Sequence, residues 1–329
     1  MASTTYTPDP VYDTSRDLVG YSKESLHPKW PNGAKIAISF VVNYEEGGEN
    51  SVLYGDQGSE WILREGPGLV SHIGQRDPNA ESEYEYGSRA GIWRLLRFFN
   101  AKNLKFTLYA VGKALEGNPR VGVECVEHGH EIAAHAYRWI DYTKIPLEEE
   151  KALIKQEILS LQQTCGVVPK GWYYGRPSRR SRILVWQVFR ELGYPLLWNS
   201  DTYADDVPYW TDVPEEADDP NAKGLLLLPY SFDNNDYKFT VPSGFNAPGG
   251  WLEHLKNTFD TLYQEGIEGM PKMMTVGLHC RLAGRPGRFA ALKSFVEYVQ
   301  QHEGVWITTR TNIAEAFSKE YPYKKGHLA

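Results

Sequence analysis

The sequence predicts an α/β fold, a closed or nearly closed (β/α) barrel of about seven parallel strands. Three observations predict it. Short apolar runs alternate with amphipathic stretches along nearly the whole chain, the runs are continuously apolar, and polar residues collect where they end. Strands joined by crossover helices lie parallel and are covered on both faces, so they read as unbroken Val, Ile and Leu. No glycine-rich phosphate fingerprint follows any strand, which weakens the alternative of a doubly wound open sheet. The 329 residues show no linker between halves and suit one barrel.

Residues 1–34 are polar and dotted with proline, an expected surface arm, and 35–329 are expected to form the barrel. "AKIAISFVV" is the first strand, stopping at Asn43, Tyr44, Glu45 and Glu46 before two glycines. Residues 47–87 read as one long loop, of the kind that forms lids or binding loops in compact domains. From Ser88, an expected N-cap, Ile92, Leu95, Leu96 and Phe99 recur on one helical face. "LKFTLYAV" is a strand, 112–129 a helical stretch, and "HEIAAHAY" a strand that hands over to a loop at His135. A helix runs from Pro146 to Gly166, with proline near its first turn and glycine after its last. "PKGWYY", "SRRSRILVWQVFRELG" and "PLLWNS" repeat strand, helix, strand. An irregular acidic stretch leads to "GLLLLPY", a helix over 251–264, "KMMTVGLHC", a helix over 287–301, "GVWITT" and a last helix from Arg310.

The formal charge of -7 excludes a nucleic-acid partner, since phosphate binding needs a basic surface. The longest apolar runs fall far short of the ~20 residues of a membrane span. The N-terminus has neither a basic start nor an apolar stretch, so no signal peptide is expected. Cys125, Cys165 and Cys280 form no disulfide framework and read as reduced, buried thiols of a cytoplasmic protein. Cys280 follows His279 directly, but strand neighbours point to opposite faces, so the two do not form a nucleophile pair.

Barrel enzymes carry their chemistry at the C-terminal ends of the strands, and there the polar residues gather. Successive strand ends supply Glu45 and Glu46, His135, Tyr174 with Arg176, Asn199 with Asp201, the run "SFDNND", and His279 with Arg281 and Arg285. "HEIAAH" has one residue too many for the zinc motif HExxH, and on a strand His130 and His135 face opposite ways. A metal would need His135, Glu45 or Glu46, and His279, with no second local histidine; zinc is therefore the alternative and no cofactor the expectation.

"SFVVNYEEGG" is similar to the first motif of the polysaccharide deacetylase (NodB-homology) superfamily, where two aspartates precede a glycine. "GHEIAAHAYRW" is similar to its second motif, where a histidine, three residues and another histidine complete a metal site. The resemblance implies a deformed (β/α) barrel with an Asp/His/His metal centre. This chain departs from it: Glu45 and Glu46 replace the aspartates, and Trp139 the second histidine. With "RDLVGY", "YEYGSRAGIWRLL", "GWYYGR", "SDTYADDVPYW", "PYSFDNND" and "GLHCRLAGRPGR", the set resembles the metal-independent allantoinase branch of that superfamily, from Arg16 to Tyr321. That resemblance implies hydrolysis of the hydantoin ring of allantoin to allantoate in purine degradation, by a homotetramer. Other cyclic-imide hydrolysis and metal-dependent glycan deacetylation are the alternatives.

Cleaving a ring amide needs an activated water, a stabilised oxyanion and a proton for the leaving nitrogen. Glu46 is the first choice of base, because it precedes the glycine as the family's ligand aspartate does, and Glu45 the second. His135 and His279 are candidates for proton transfer or for polarising the carbonyl. Arg176, Arg281 and Arg285 suit the substrate's carbonyls and the nascent carboxylate. Trp139, Tyr44 and Tyr174 are expected to wall the ring, with Asp201 beside them.

Overall fold

β1 (Ile36–Tyr44) is buried along its whole length, and the sheet is built outward from it. The computed structural model describes residues 6–66 and 70–326. Among them eight further strands follow: β2 (Thr107–Ala110), β3 (Glu131–Ala134), β4 (Gly171–Trp172), β5 (Trp198–Asn199), β6 (Tyr209–Thr211), β7 (Leu225–Leu227), β8 (Lys272–His279) and β9 (Val305–Ile307). Their order in space is β6-β7-β5-β4-β3-β2-β1-β8, with β9 beside the start of β1. Every pairing is parallel except that of β6 with β7. The sheet curls until its ends face each other, where Asn235 bridges Gly277 and the Met273 N–H donates to Asp206 O. The result is a curled half-barrel of mostly parallel strands. It has more strands than the seven or so expected, partly because β6 forms inside the acidic stretch that reads as irregular.

The helices are α1 (Pro78–Tyr86), α2 (Ile92–Ala101), α3 (Gly112–Gly117), α4 (Pro119–Glu127), α5 (Leu147–Cys165), α6 (Ser181–Leu192), α7 (Pro248–Ile267), α8 (Pro286–Val299) and α9 (Arg310–Glu320). None of the described helices is long and apolar enough to cross a membrane. Alternate residues of β1 serve different layers, as strand geometry requires. Ile36, Ile38, Phe40, Val42 and Tyr44 pack outward with Leu95, Phe99 and Phe295 of the helices. Ala37 and Val41 face inward with Tyr109, Ala133, Tyr173, Trp198 and Tyr230.

The floor is closed by Ile313, Ala314 and Phe317 of α9 together with Trp30. At the start of that helix Arg310 is fully buried, and its guanidinium donates to Ser200 Oγ, Thr275 Oγ1 and the carbonyls of Leu228 and Pro229 at 2.7–3.0 Å. Trp30 donates from Nε1 to Lys272 O, so the end of the N-terminal arm is part of the core and not of the surface.

Two expectations for the region before α2 change. The loop over 47–87 contains α1, capped by Asp77, whose Oδ1 accepts from the N–H groups of Asn79 and Ala80, with Pro78 in the first turn. Ser88 is not the N-cap of α2. It lies in a π-helical turn, Gly87–Gly91, that links α1 to α2. Close packing explains the wide turn: a Cβ at Gly91 would lie 2.0 Å from Cys280 O, and one at Gly87 would lie 2.1 Å from Glu46 Oε1. Glycine lets the helix press against the ends of β8 and β1.

Candidate active site

Register brings the chemistry together. Asn43 pairs with His279 across β1 and β8, Tyr44 with Ala110 across β1 and β2, and Ala110 with Ala134 across β2 and β3. Glu45, His135 and His279 thus leave neighbouring strands at one height. Glu45 Oε1 lies 3.2 Å from His135 Nε2 and 3.4 Å from His279 Nε2, while Oε2 accepts from Arg281 Nη1 at 2.7 Å. Behind His279, Asp236 accepts from Nδ1 through Oδ1 at 2.7 Å and from the His279 and Ala283 N–H groups through Oδ2.

Hydrogen-bond direction assigns protons here. His135 Nδ1 lies 2.9 Å from Tyr173 O, and a carbonyl only accepts, so Nδ1 carries a hydrogen. Burial alone would lower the basicity of His279, but Glu45 and Asp236 outweigh it and hold the imidazolium at about 9. Burial pushes the Glu45 carboxyl upward; Arg281, His279 and the bond to His135 overcome that and keep it well below the usual carboxylate range. At neutral pH the centre is an ionised Glu45 against the cations Arg281 and His279.

Glu46 behaves differently. Burial raises it to about 7, and the neighbouring Glu45 charge adds to the rise against the opposing effect of Arg281. Its Oε2 accepts the Glu45 N–H, and its Oε1 has no hydrogen-bond partner among the described residues. An acid whose folded pKa lies above its ordinary 4.5 binds more protons folded than unfolded between those values. Its contribution to stability is present at low pH and falls as pH rises from about 5 through about 7, by roughly 3 kcal/mol for a rise of ~2.5 units. Glu46→Gln is expected to flatten this part of the profile, so that the Tm difference between pH 5.5 and 8.5 shrinks. An unchanged difference by calorimetry would remove Glu46 from the account.

The remaining sequence-named residues fall into two groups. Trp139 belongs to the site: it is 4% exposed, and the Arg281 guanidinium carbon lies 5.6 Å from its ring centroid. Tyr44 does not, because strand parity turns it to the outer face, where its hydroxyl meets Ser88 Oγ at 2.8 Å. Tyr174 is likewise outside, packed edge-on against Tyr142 in the helix-facing core. Asp201 is used structurally, accepting from the N–H groups of Tyr174 and Gly175. Arg285 lies over Tyr86, 3.6 Å from its centroid, beside Glu65. Arg176 pairs with Glu60 at 3.0 Å, above Trp139 and not in the reacting layer. His130 is distant from the site, stacked on Phe106 and bonded to Asn100.

Sequence reading missed Asp236, Tyr84 and Glu49. Asp236 ends the quoted run "SFDNND", so its strand-end position was the available signal. Tyr84 comes from α1, inside the stretch read as loop, and the Arg281 guanidinium carbon lies 4.3 Å from its centroid. Glu49 is raised to about 7 by burial and accepts the Gly47 N–H. The Nε and Nη2 of Arg281 and the Tyr84 hydroxyl have no hydrogen-bond partner among the described residues, so unspent hydrogen-bonding groups lie close to Glu45.

Residues 75–197 match the sequence profile of the polysaccharide deacetylase family. A Schizosaccharomyces pombe protein whose name places it among the polysaccharide deacetylases is 46% identical over 322 residues, covering 95% of this chain and 100% of that one. The chain belongs to the polysaccharide deacetylase family. Two crystal structures resemble it along nearly their full length. PuuE allantoinase is 45% identical, with a TM-score of 0.88, over 95% of this chain and 100% of that one. A probable polysaccharide deacetylase from Pseudomonas aeruginosa PAO1 is 45% identical, with a TM-score of 0.87, over 94% and 100%. These relatives make the protein a hydrolase of the deacetylase superfamily and are equally close to it on two different substrates.

Proposed function

We propose that this member of the polysaccharide deacetylase family hydrolyses the ring amide of allantoin to allantoate and requires no metal. The observation that carries the reading is enclosure of the reacting groups. Glu45, His135 and Arg281 are each 1% exposed, and His279 is 4% exposed. A compact heterocycle suits reacting groups so withdrawn from the surface, whereas a glycan chain needs an open cleft to pass through. The likeness to PuuE allantoinase supports the same choice. A homotetramer belongs to this proposal through the resemblance alone, and a cytosolic setting through the three free, buried thiols.

The residues do not fit the metal that the family's motifs imply. Trp139 stands where the second histidine would, and Arg281 already neutralises Glu45 at 2.7 Å. Among the described residues no group of three or more His, Cys, Asp or Glu is arranged to hold a metal ion.

Glu45 is favoured over Glu46 as the base, on geometry first. It is ionised and central, whereas Glu46 presses against Gly87 and spends one oxygen on the Glu45 N–H. A water beside Glu45 attacks the ring carbonyl carbon and gives its proton to the carboxylate. The carbonyl oxygen gains charge and is received by the free N–H groups of Arg281. As the C–N bond breaks, the imidazolium of His279, oriented by Asp236, gives its proton to the leaving nitrogen. Trp139 and Tyr84 wall the flat ring.

The test is turnover by chelator-treated protein offered allantoin, hydantoin, succinimide and N-acetylglucosamine oligomers. Allantoin hydrolysis is expected to survive EDTA. Deacetylation that returns only with zinc or cobalt would overturn the proposal.

A further inference from the structure

Arg176 and Glu60 form a layer above the reacting groups that the mechanism does not use. Two guanidiniums lie over the Trp139 ring: that of Arg281, bonded to Glu45, and that of Arg176, whose central carbon is 4.9 Å from the ring centroid. Arg176 Nη1 donates to Glu60 Oε2 at 3.0 Å and to Trp139 O at 3.4 Å. The Glu60 side chain is 0% exposed, and its oxygens accept three further bonds: Asn50 Nδ2 at 2.6 Å and the N–H groups of Trp61 and Ile62 at 2.9 Å. One carboxylate thus ties the segment after β1 to the loop after β4 and, through Arg176, to Trp139. The Trp139 backbone N–H adds a bond to Gly48 O at 2.8 Å, which ties the same residue to the loop that carries Glu45.

A carboxylate so fully removed from water is costly unless every oxygen is satisfied, as it is here. The pair therefore has one low-energy arrangement, with Trp139 held down. Trp139 is 4% exposed and lies beside the Arg281 guanidinium that bonds Glu45, and Glu45 and His135 are each 1% exposed, so a substrate reaches them only when the side chains around them, Trp139 among them, part as a cover.

We propose that the Glu60–Arg176 pair is a specificity-determining clamp. By fixing the height of Trp139 it limits the substituents a ring amide can carry, admitting a bare or small-substituted hydantoin and rejecting one with a bulky group. This inference rests on the ring-amide reading of the site. Neither clamp residue touches the reacting atoms, and both act through Trp139.

The experiment compares wild type, Glu60→Gln, Arg176→Gln and the double variant on hydantoin and on 5-phenylhydantoin, with amide hydrogen exchange at Trp139. Either single substitution is expected to raise the ratio of kcat/KM for 5-phenylhydantoin over hydantoin by roughly tenfold, the scale on which a pocket discriminates by size. Trp139 exchange is expected to accelerate by a similar factor, because the cover opens more often. The double variant is expected to match either single one, as for partners in one interaction. An equal fall on both substrates would mark a purely structural pair and overturn the proposal, as would additive effects in the double variant. Arg176 is part-exposed, so its variant keeps the test decisive should Glu60→Gln fail to fold. If wild type hydrolyses no ring amide, the functional reading falls, and unchanged Trp139 exchange in Arg176→Gln would overturn the clamp independently.

Discussion

Replacing Glu45 with glutamine is expected to lower kcat on allantoin by about a thousandfold, within the range that a positioned base contributes. Glutamine keeps the shape but cannot take the water's proton, and it leaves the buried Arg281 guanidinium without its nearest counter-charge. Removing one partner of such a buried pair costs about 3–5 kcal/mol, so Tm is expected to drop as well. Glu45→Asp separates the two effects. It restores the charge, and with it most of the Tm, while moving the carboxylate about one carbon back from the histidines, so kcat stays low. Steady-state kinetics beside circular dichroism and thermal melts would read both. A Glu45→Gln enzyme within tenfold of wild type would move the base elsewhere, and Glu46→Gln assayed alongside would show whether it moves to the neighbour.

Asp236→Asn is expected to shift the alkaline limb of the kcat profile. In the folded protein Glu45 and Asp236 outweigh the burial effect and hold His279 at about 9, so the imidazolium is available as an acid through neutral pH. A raised basic group contributes stability that is complete below its ordinary value near 6.5 and is lost as pH rises through about 9. Asparagine removes one of the two anions responsible. The limb is expected to move down by more than one pH unit, and kcat at pH 8.5 to fall roughly tenfold or more, with recovery near pH 6. The same substitution is expected to lower Tm at pH 7 more than at pH 9.5, where wild-type His279 has already lost its proton. A limb that stays in place would remove His279 from the role of acid.

These two residues also show how unevenly the site was legible. Glu45, His135, His279 and Arg281 could be named because each closes a strand or opens the loop after it, and parallel barrels gather such positions at one end. Asp236 sits nine residues beyond β7, at the head of a short 3-10 helix, where strand-end logic fades. Its role depends on that turn folding back beneath His279. Tyr84 was hidden for a related reason: the Asp77–Pro78 cap was readable, but the stretch was read as loop, and only the π-helical turn at Gly87–Gly91 brings α1 against β8. Tyr44 and Tyr174 went astray in the opposite direction. Their positions at strand ends are right, but their parity turns both rings into the helix-facing core.

The choice between Glu45 and Glu46 could not be made from adjacency, since neighbours on a strand diverge and either could face the barrel. It is decided by what surrounds each one. Glu45 meets two imidazoles and a guanidinium and is held ionised, whereas Glu46 meets glycine, its own backbone and Arg281 only at 4.0 Å, and burial raises it to about 7.

The sequence by itself determined the parallel half-barrel, the strand ends that carry chemistry and the family, because periodicity and motif spacing are local properties of the chain. Only the tertiary structure decided which glutamate meets the two imidazoles and Arg281, that Asp236 bonds His279, and that Arg176 pairs with Glu60 beside Trp139. Those outcomes depend on burial and on partners up to 236 residues apart, and desolvation together with charge pairing acts on distances in space that no spacing in the chain encodes.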